Sequence, residues 1–324
     1  MAHSKLVLGA AAILAIPGIA RADETAAPSR DDPGVWRLST GVNYSEGDYG
    51  ELQDTKVVSV PLALKYKRGR FSVRVSLPYV HIDGPGSLLD TPQGRDAGFG
   101  DSAGFDDNGG SSGSDSSGSG SSGSGSSGGG ADDSGGSGGG GADDGGASGG
   151  TPGGDVVPVT GLTSSRGGIG DVSVSLGYAL PLGDTTSFDL STRIKLPTAS
   201  TAKRLGTGQV DVTLGAELVQ ELGDLSLWAG ARHRFLGKPA GSTLRDTWGA
   251  GGGLSYRLPG GTFIGADYDW QESARPGRSA SSEVTGWVNF GLTRAVRLQL
   301  FASTGLNATS TDFAGGLSLS VRLN

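Results

Sequence analysis

The chain contains no cysteine. An exported protein of this composition is therefore held without disulfides, and a small secreted disulfide scaffold is excluded. Long apolar runs are also missing. Beyond the N-terminal segment, no stretch approaches the ~20 continuous apolar residues that a membrane-spanning helix needs. Hydrophobic residues make up 35% of the 324 positions, little for a protein with a large buried core. Positive charge is not in excess, since the formal net charge is −7. That balance gives no footing for nucleic-acid binding. Nothing has the spacing of a metal site. Runs such as Gly251-Gly252-Gly253 precede no helix, so they are not phosphate loops.

What is present begins with a three-part leader. Lys5 supplies a positive n-region, Leu6 to Ile19 an apolar segment interrupted by Gly and Pro, and Ala20-Arg21-Ala22 an A-x-A cleavage site. This pattern reads as a secretory signal peptide over residues 1–22, with the mature chain starting at Asp23 outside the cytoplasm.

The mature chain is organised by alternation. From Gly170 to Thr198, Val172, Val174, Leu176, Tyr178 and Leu180 share one face, while Asp171, Ser173, Ser175, Gly177 and Ala179 share the other. After a Pro-Leu-Gly-Asp turn, Phe188, Leu190, Thr192, Ile194 and Leu196 oppose Ser187, Asp189, Ser191, Arg193 and Lys195. A period of two is the signature of a β-strand. Three such segments lie within residues 23–83, starting at Trp36, Val58 and Phe71. Seven more follow the pair just described and run to the C-terminus, for about twelve strands in all. Pro61 interrupts the second segment and predicts a bulge there. Residues 84–168 lose the pattern. Between Gly109 and Gly150 the chain is almost only Gly, Ser, Asp and Ala, a composition that cannot bury enough apolar surface to order itself. The pairs Asp106-Asp107, Asp132-Asp133 and Asp143-Asp144 lack the apolar residue that calcium-binding nonapeptide repeats require, so a disordered external loop is expected.

The connections separate a membrane wall from a soluble sandwich. Lys67–Arg70, Pro181–Thr186, Glu221–Asp224, Pro259–Gly261 and Thr293–Ala295 are short, and a longer connection falls between each pair of them. Short turns at one end and long loops at the other are the habit of outer-membrane barrels. The aromatics agree. Trp36, Tyr66, Phe71, Phe188 and Tyr256 lie near short turns, and Tyr44, Tyr79, Phe235, Trp248, Trp270 and Phe313 near long loops, as two interfacial girdles would. The expected fold is all-β, a transmembrane antiparallel up-and-down β-barrel of about 12 strands. Residues 23–83 form its first three strands and residues 169–324 the remainder.

The order Gly168-Ile169-Gly170-Asp171, Tyr178, Lys195-Leu196-Pro197-Thr198, Leu205-Gly206-Thr207-Gly208 and Asp211 resembles the family named for the MetA pathway of phenol degradation. The resemblance implies an exported outer-membrane barrel transporter moving small, hydrophobic or aromatic molecules. The acidic Gly/Ser tract is an addition to that family pattern.

In such a barrel the polar face lines the lumen. Arg74, Asp171, Asp189, Arg193, Lys195, Asp211, Glu217, Arg232, Arg234, Asp267 and Asp269 are the candidate lining residues, joined by Arg37, Lys65, Arg257, Glu283 and Arg297. They predict a mixed-charge wall that selects solutes by size and field. The alternative is a set of interior salt bridges filling a narrow barrel. A rim hydrolase would draw on His81 and His233, but no Gly-x-Ser-x-Gly elbow accompanies them, and no enzyme is expected. A barrel that only displays the acidic loop is the third reading. The channel reading needs no cofactor. Its partners are outer-membrane lipid, the outer-membrane assembly machinery and a small-molecule solute.

Overall fold

The computed structural model describes residues 33–49, 53–85 and 165–323. The leader and the Gly/Ser/Asp tract lie outside the described residues. Wherever the sequence alternates, a strand forms. Their bounds are β1 Val35–Gly47, β2 Thr55–Arg68, β3 Phe71–Asp83, β4 Arg166–Ile169, β5 Val172–Pro181, β6 Thr186–Leu196 and β7 Asp211–Leu222. They continue as β8 Leu225–Phe235, β9 Thr247–Arg257, β10 Phe263–Gln271, β11 Ser281–Gly291, β12 Val296–Gly305 and β13 Phe313–Arg322.

Except for β4 and β5, which both pair with β3, each strand pairs antiparallel with its sequence neighbour, and β1 pairs with β13 over Arg37 to Glu46, so the sheet closes on itself. Strands β4 and β5 pair with successive parts of β3, β4 with Tyr79–Ile82 and β5 with Phe71–Ser76. They are one interrupted stave, and the barrel has twelve. A closed ring leaves no strand edge unpaired, which is the condition for crossing lipid with strands. The strand run starts at Arg166, inside the stretch that the sequence pattern assigns to the loop. Arg-Gly-Gly-Ile shows no alternation, and its pairing comes from the free upper edge of β3.

Prolines explain the interruption. Pro61 and Pro78 stand opposite each other in a β2–β3 ladder that runs without a break from Lys56↔Asp83 to Arg68↔Phe71. Neither has an N–H to give, so both missing donors fall on the outer sides of this pair. Toward β1 the ladder skips Gly41 and Val42 but keeps its register, with Thr40↔Leu62 and Asn43↔Ser59 on either side. Toward β5 the register slips. Two residues of β3, Leu77 and Pro78, face three of the partner, Gly170 to Val172, and the Gly170 N–H donates to the Pro78 carbonyl at 2.8 Å. The bulge expected at Pro61 is thus found one strand over, opposite Pro78.

Burial is inverted relative to a soluble protein. Leu62, Val42 and Leu218 are 48%, 47% and 47% exposed, while Asn43 and Ser320 on the other face are 3% and 1% exposed. The apolar face looks outward and the polar face inward. Outside, Trp36 stacks on Tyr66 and Phe71 on Tyr178, each pair 4.6 Å between centroids, at the short-turn end. His233 sits between Phe235 and Trp248 at 4.5 and 4.4 Å at the long-loop end. No helix among the described residues is long and apolar enough to cross a membrane.

Candidate functional site: the lumen and its long-loop mouth

Alternation places the sixteen charged residues named from the sequence on the inner face, and the register then groups them. Near the long-loop end, Lys195 on β6 stands opposite Asp211 on β7. Its Nζ lies 2.8 Å from Asp211 Oδ2 and 3.4 Å from Asp171 Oδ2, with both carboxylates almost fully buried. Arg234 on β8 reaches the same Asp211 oxygen at 3.2 Å, and the Gly237 N–H donates to Asp211 Oδ1 at 2.9 Å. Asp171, at the register slip between β4 and β5, keeps the inner-face parity of β5 and joins this group. Buried charges are tolerated when paired, and each of these four has an ion-pair partner.

The same group fixes the loop over residues 197–210. Asp171 Oδ1 accepts the Ala199 N–H at 2.7 Å. Thr198 Oγ1 accepts the Val172 N–H at 2.8 Å and donates to the Gly170 carbonyl at 3.3 Å. So anchored, the loop drops Ala199 and Leu205 onto Val57, Val80 and Ile82, inner-face residues of β2 and β3. Leu205 is fully buried there. It lies on Gly168, where a Cβ would stand only 2.9 Å from Leu205 Cδ1. The residues that carry the family resemblance therefore meet in space. Gly168, Gly170-Asp171, Lys195, Thr198, Leu205 and Asp211 build one inward-folded loop at the barrel mouth. A second loop narrows the mouth from the far side, as Arg278, between β10 and β11, donates to the Tyr49 carbonyl at 2.7 Å beyond β1. The rim there is acidic. Burial pushes the Asp312 carboxyl above its ordinary range, and the charges of Asp48, Asp54 and Glu46 push it further.

Deeper in the lumen, Arg232 on β8 reaches across β9 to β10. Its two terminal nitrogens meet the Asp269 oxygens at 2.7 and 2.9 Å, and its Nε donates to Gln271 Oε1 at 3.0 Å. The path crosses Gly249, where a Cβ would come 2.8 Å from Arg232 Nε. Asp189 on β6 faces Glu217 on β7, with Arg193 farther along β6. Asp267 on β10 accepts the indole N–H of Trp287 at 2.8 Å.

Trp287 is one of four inward aromatics on the described strands, none of them part of the outward girdles. Trp228 on β8, Phe263 on β10, Trp287 on β11 and Phe301 on β12 share strand parity with the charged lining residues. Trp228, Trp287 and Phe301 each press on a glycine of the next strand, Gly253, Gly265 and Gly316 respectively. Their strand parity alone marks them as inward.

The histidines do not form a relay. His81 Nε2 contacts both Ser165 Oγ at 3.1 Å and Asp83 Oδ2 at 3.4 Å, so hydroxyl and carboxylate compete for one nitrogen. A relay needs the carboxylate on the other ring nitrogen. His233 lies in the outer girdle. Among the described residues, no three of His, Cys, Asp and Glu converge as a metal site.

No protein-family model and no curated protein matches the chain, so the MetA-pathway resemblance stays a resemblance. Solved structures do match. An outer membrane channel from Pseudomonas putida F1 superposes with a TM-score of 0.52 at 15% identity, covering 94% of this chain and 100% of that one. The NanC porin gives 0.49 at 8% identity, covering 88% of this chain and 100% of that one. The KdgM porin gives 0.47 at 6% identity, covering 88% and 99%. At these identities the likeness establishes the fold alone, and the first of the three carries it. The chain is a closed, twelve-stranded antiparallel β-barrel of the outer-membrane kind.

Proposed function

We propose that this protein is an outer-membrane channel for the passive passage of small molecules. The observation that carries the reading is accessible surface on the inner wall. Asp269 keeps 31% of its side-chain surface accessible although it faces into the barrel and is held by an arginine that is 2% accessible. Surface that is accessible on the inner face of a closed ring can only be lumen. The outer membrane channel that shares the fold supports the same reading. The short turns then face the periplasm and the long loops the exterior, as such barrels are generally oriented. Trp287 and Phe301, both only partly buried, supply rings on the inner wall, which suits hydrophobic or aromatic solutes.

Planar-bilayer recording of the refolded mature protein tests this. Discrete openings are expected, growing larger when the inward-folded loop is loosened. A folded, inserted barrel with no openings under any loop variant overturns it.

A further inference from the structure

One interface of the barrel differs from the rest. Among the described ladders, only that between β3 and the β4–β5 stave slips in register. Its pairs run from Phe71↔Tyr178 to Ser76↔Ser173 and resume at Tyr79↔Ile169. At the slip the Pro78 carbonyl accepts the Gly170 N–H, but Pro78 has no N–H to return. The inward-folded loop is tied to the same place. Thr198 Oγ1 accepts the Val172 N–H and donates to the Gly170 carbonyl, and Leu205 lies on Gly168. The slip is also apolar on both faces. Leu77, Tyr79 and Ile169 are exposed outside. Inside, Val57, Val80 and Ile82 pack against Leu205, and all four are fully buried. At the same end of the barrel the inner faces of other strands carry polar groups, such as Asn43 on β1, Lys195 on β6 and Asp211 on β7.

We propose that small neutral apolar solutes pass here between the barrel mouth and the lipid of the outer leaflet, with Leu205 filling the inner half of the path. The inference rests on the channel reading and adds to it a solute class and a point of exit. Opening a barrel wall in hydrocarbon is costly, because each freed backbone group loses its partner. The cost is least where a proline already removes a donor and a loop hydroxyl bonds the strand beside it. Apolar side chains on both faces let such a solute enter the wall from either side. The route also spares it the charged lumen below.

The chain has no cysteine, so a pair of introduced cysteines can strap the interface cleanly. Tyr79 and Ile169 are directly opposed on one side of the slip, and Val75 and Val174 on the other. Opposed residues of antiparallel strands are about 4.5–5.5 Å apart between Cα atoms, within the span of a disulfide. Tyr79→Cys/Ile169→Cys is compared with Ile194→Cys/Val212→Cys, a control strap on the unslipped β6–β7 ladder. Heat-modifiable gel migration shows that each is a folded barrel, and Val75→Cys/Val174→Cys carries the comparison if the first pair does not fold. The readout is uptake of radiolabelled naphthalene by cells producing each protein, oxidised and reduced. Cells with the parent are expected to take up several-fold more than cells without it. Oxidising the strap at the slip is expected to remove most of that gain and reduction to restore it, while the control strap leaves it unchanged. Uptake unmoved by the strap at the slip, or lowered equally by the control, overturns the lateral passage. A parent that conducts in planar bilayers yet adds nothing to uptake overturns it as well and leaves the channel standing. A folded, inserted parent with no openings under any loop variant overturns the channel reading, whatever the uptake.

Discussion

Lys195 shows how much one residue holds in place. It is a single ammonium between two buried carboxylates contributed by the bulge and by β7. Replacing it with methionine leaves the pair facing each other without their shared cation. Breaking a buried ion pair costs about 3–5 kcal/mol. Lys195→Met is therefore expected to lose stability on that order, read as a lower urea midpoint for unfolding from lipid vesicles, whereas Lys195→Arg loses less. An unchanged midpoint for the methionine variant would show that Arg234 alone carries Asp211. The sequence reveals that residues 171, 195 and 211 share the polar face. It does not reveal that they touch, because their contact depends on the register of β5, β6 and β7.

The loop over residues 197–210 is the element that decides how open the mouth is. Its composition, with Gly206, Gly208 and the Lys203-Arg204 pair, reads as an ordinary surface connection. What folds it inward is Leu205, which finds Val57, Val80 and Ile82 on the inner wall. Leu205→Ser removes the apolar anchor. The loop is then expected to become a trypsin site at Lys203 and Arg204 and the single-channel conductance to rise. Protection and conductance both equal to the parent's would mean that the Asp171 and Thr198 hydrogen bonds hold the loop alone. The strands themselves were legible because a period of two survives any tertiary context. The bulge was legible only as a consequence of proline, and it was misplaced by one strand. A proline shows which donor is missing but not which of its two neighbours yields.

At the scale of the whole molecule, the outward apolar face has meaning only in lipid. Leu62, at the middle of β2, is 48% exposed. An arginine on the lipid face at the bilayer midplane costs about 2–4 kcal/mol. Leu62→Arg is expected to destabilise the barrel by that amount in vesicles. No such loss would argue that the apolar face meets something other than hydrocarbon. The lumen carries the complementary message. Its charges are grouped by strand register, and the grouping is invisible along the chain. Arg37 and Arg322 are opposite each other only because the first and last strands close the ring.

The sequence by itself determined the strands, the side of the wall to which each residue belongs, and the separation of short turns from long loops. All three follow from side-chain alternation and turn chemistry, which act between residues close in the chain. Closure, register and the folding of loops into the mouth were decided by the tertiary structure. They depend on which strands lie side by side, and a hydrogen-bonded ring must satisfy every edge at once. That common constraint set Lys195 between its two carboxylates, placed Leu205 beneath the mouth, and brought Arg37 opposite Arg322.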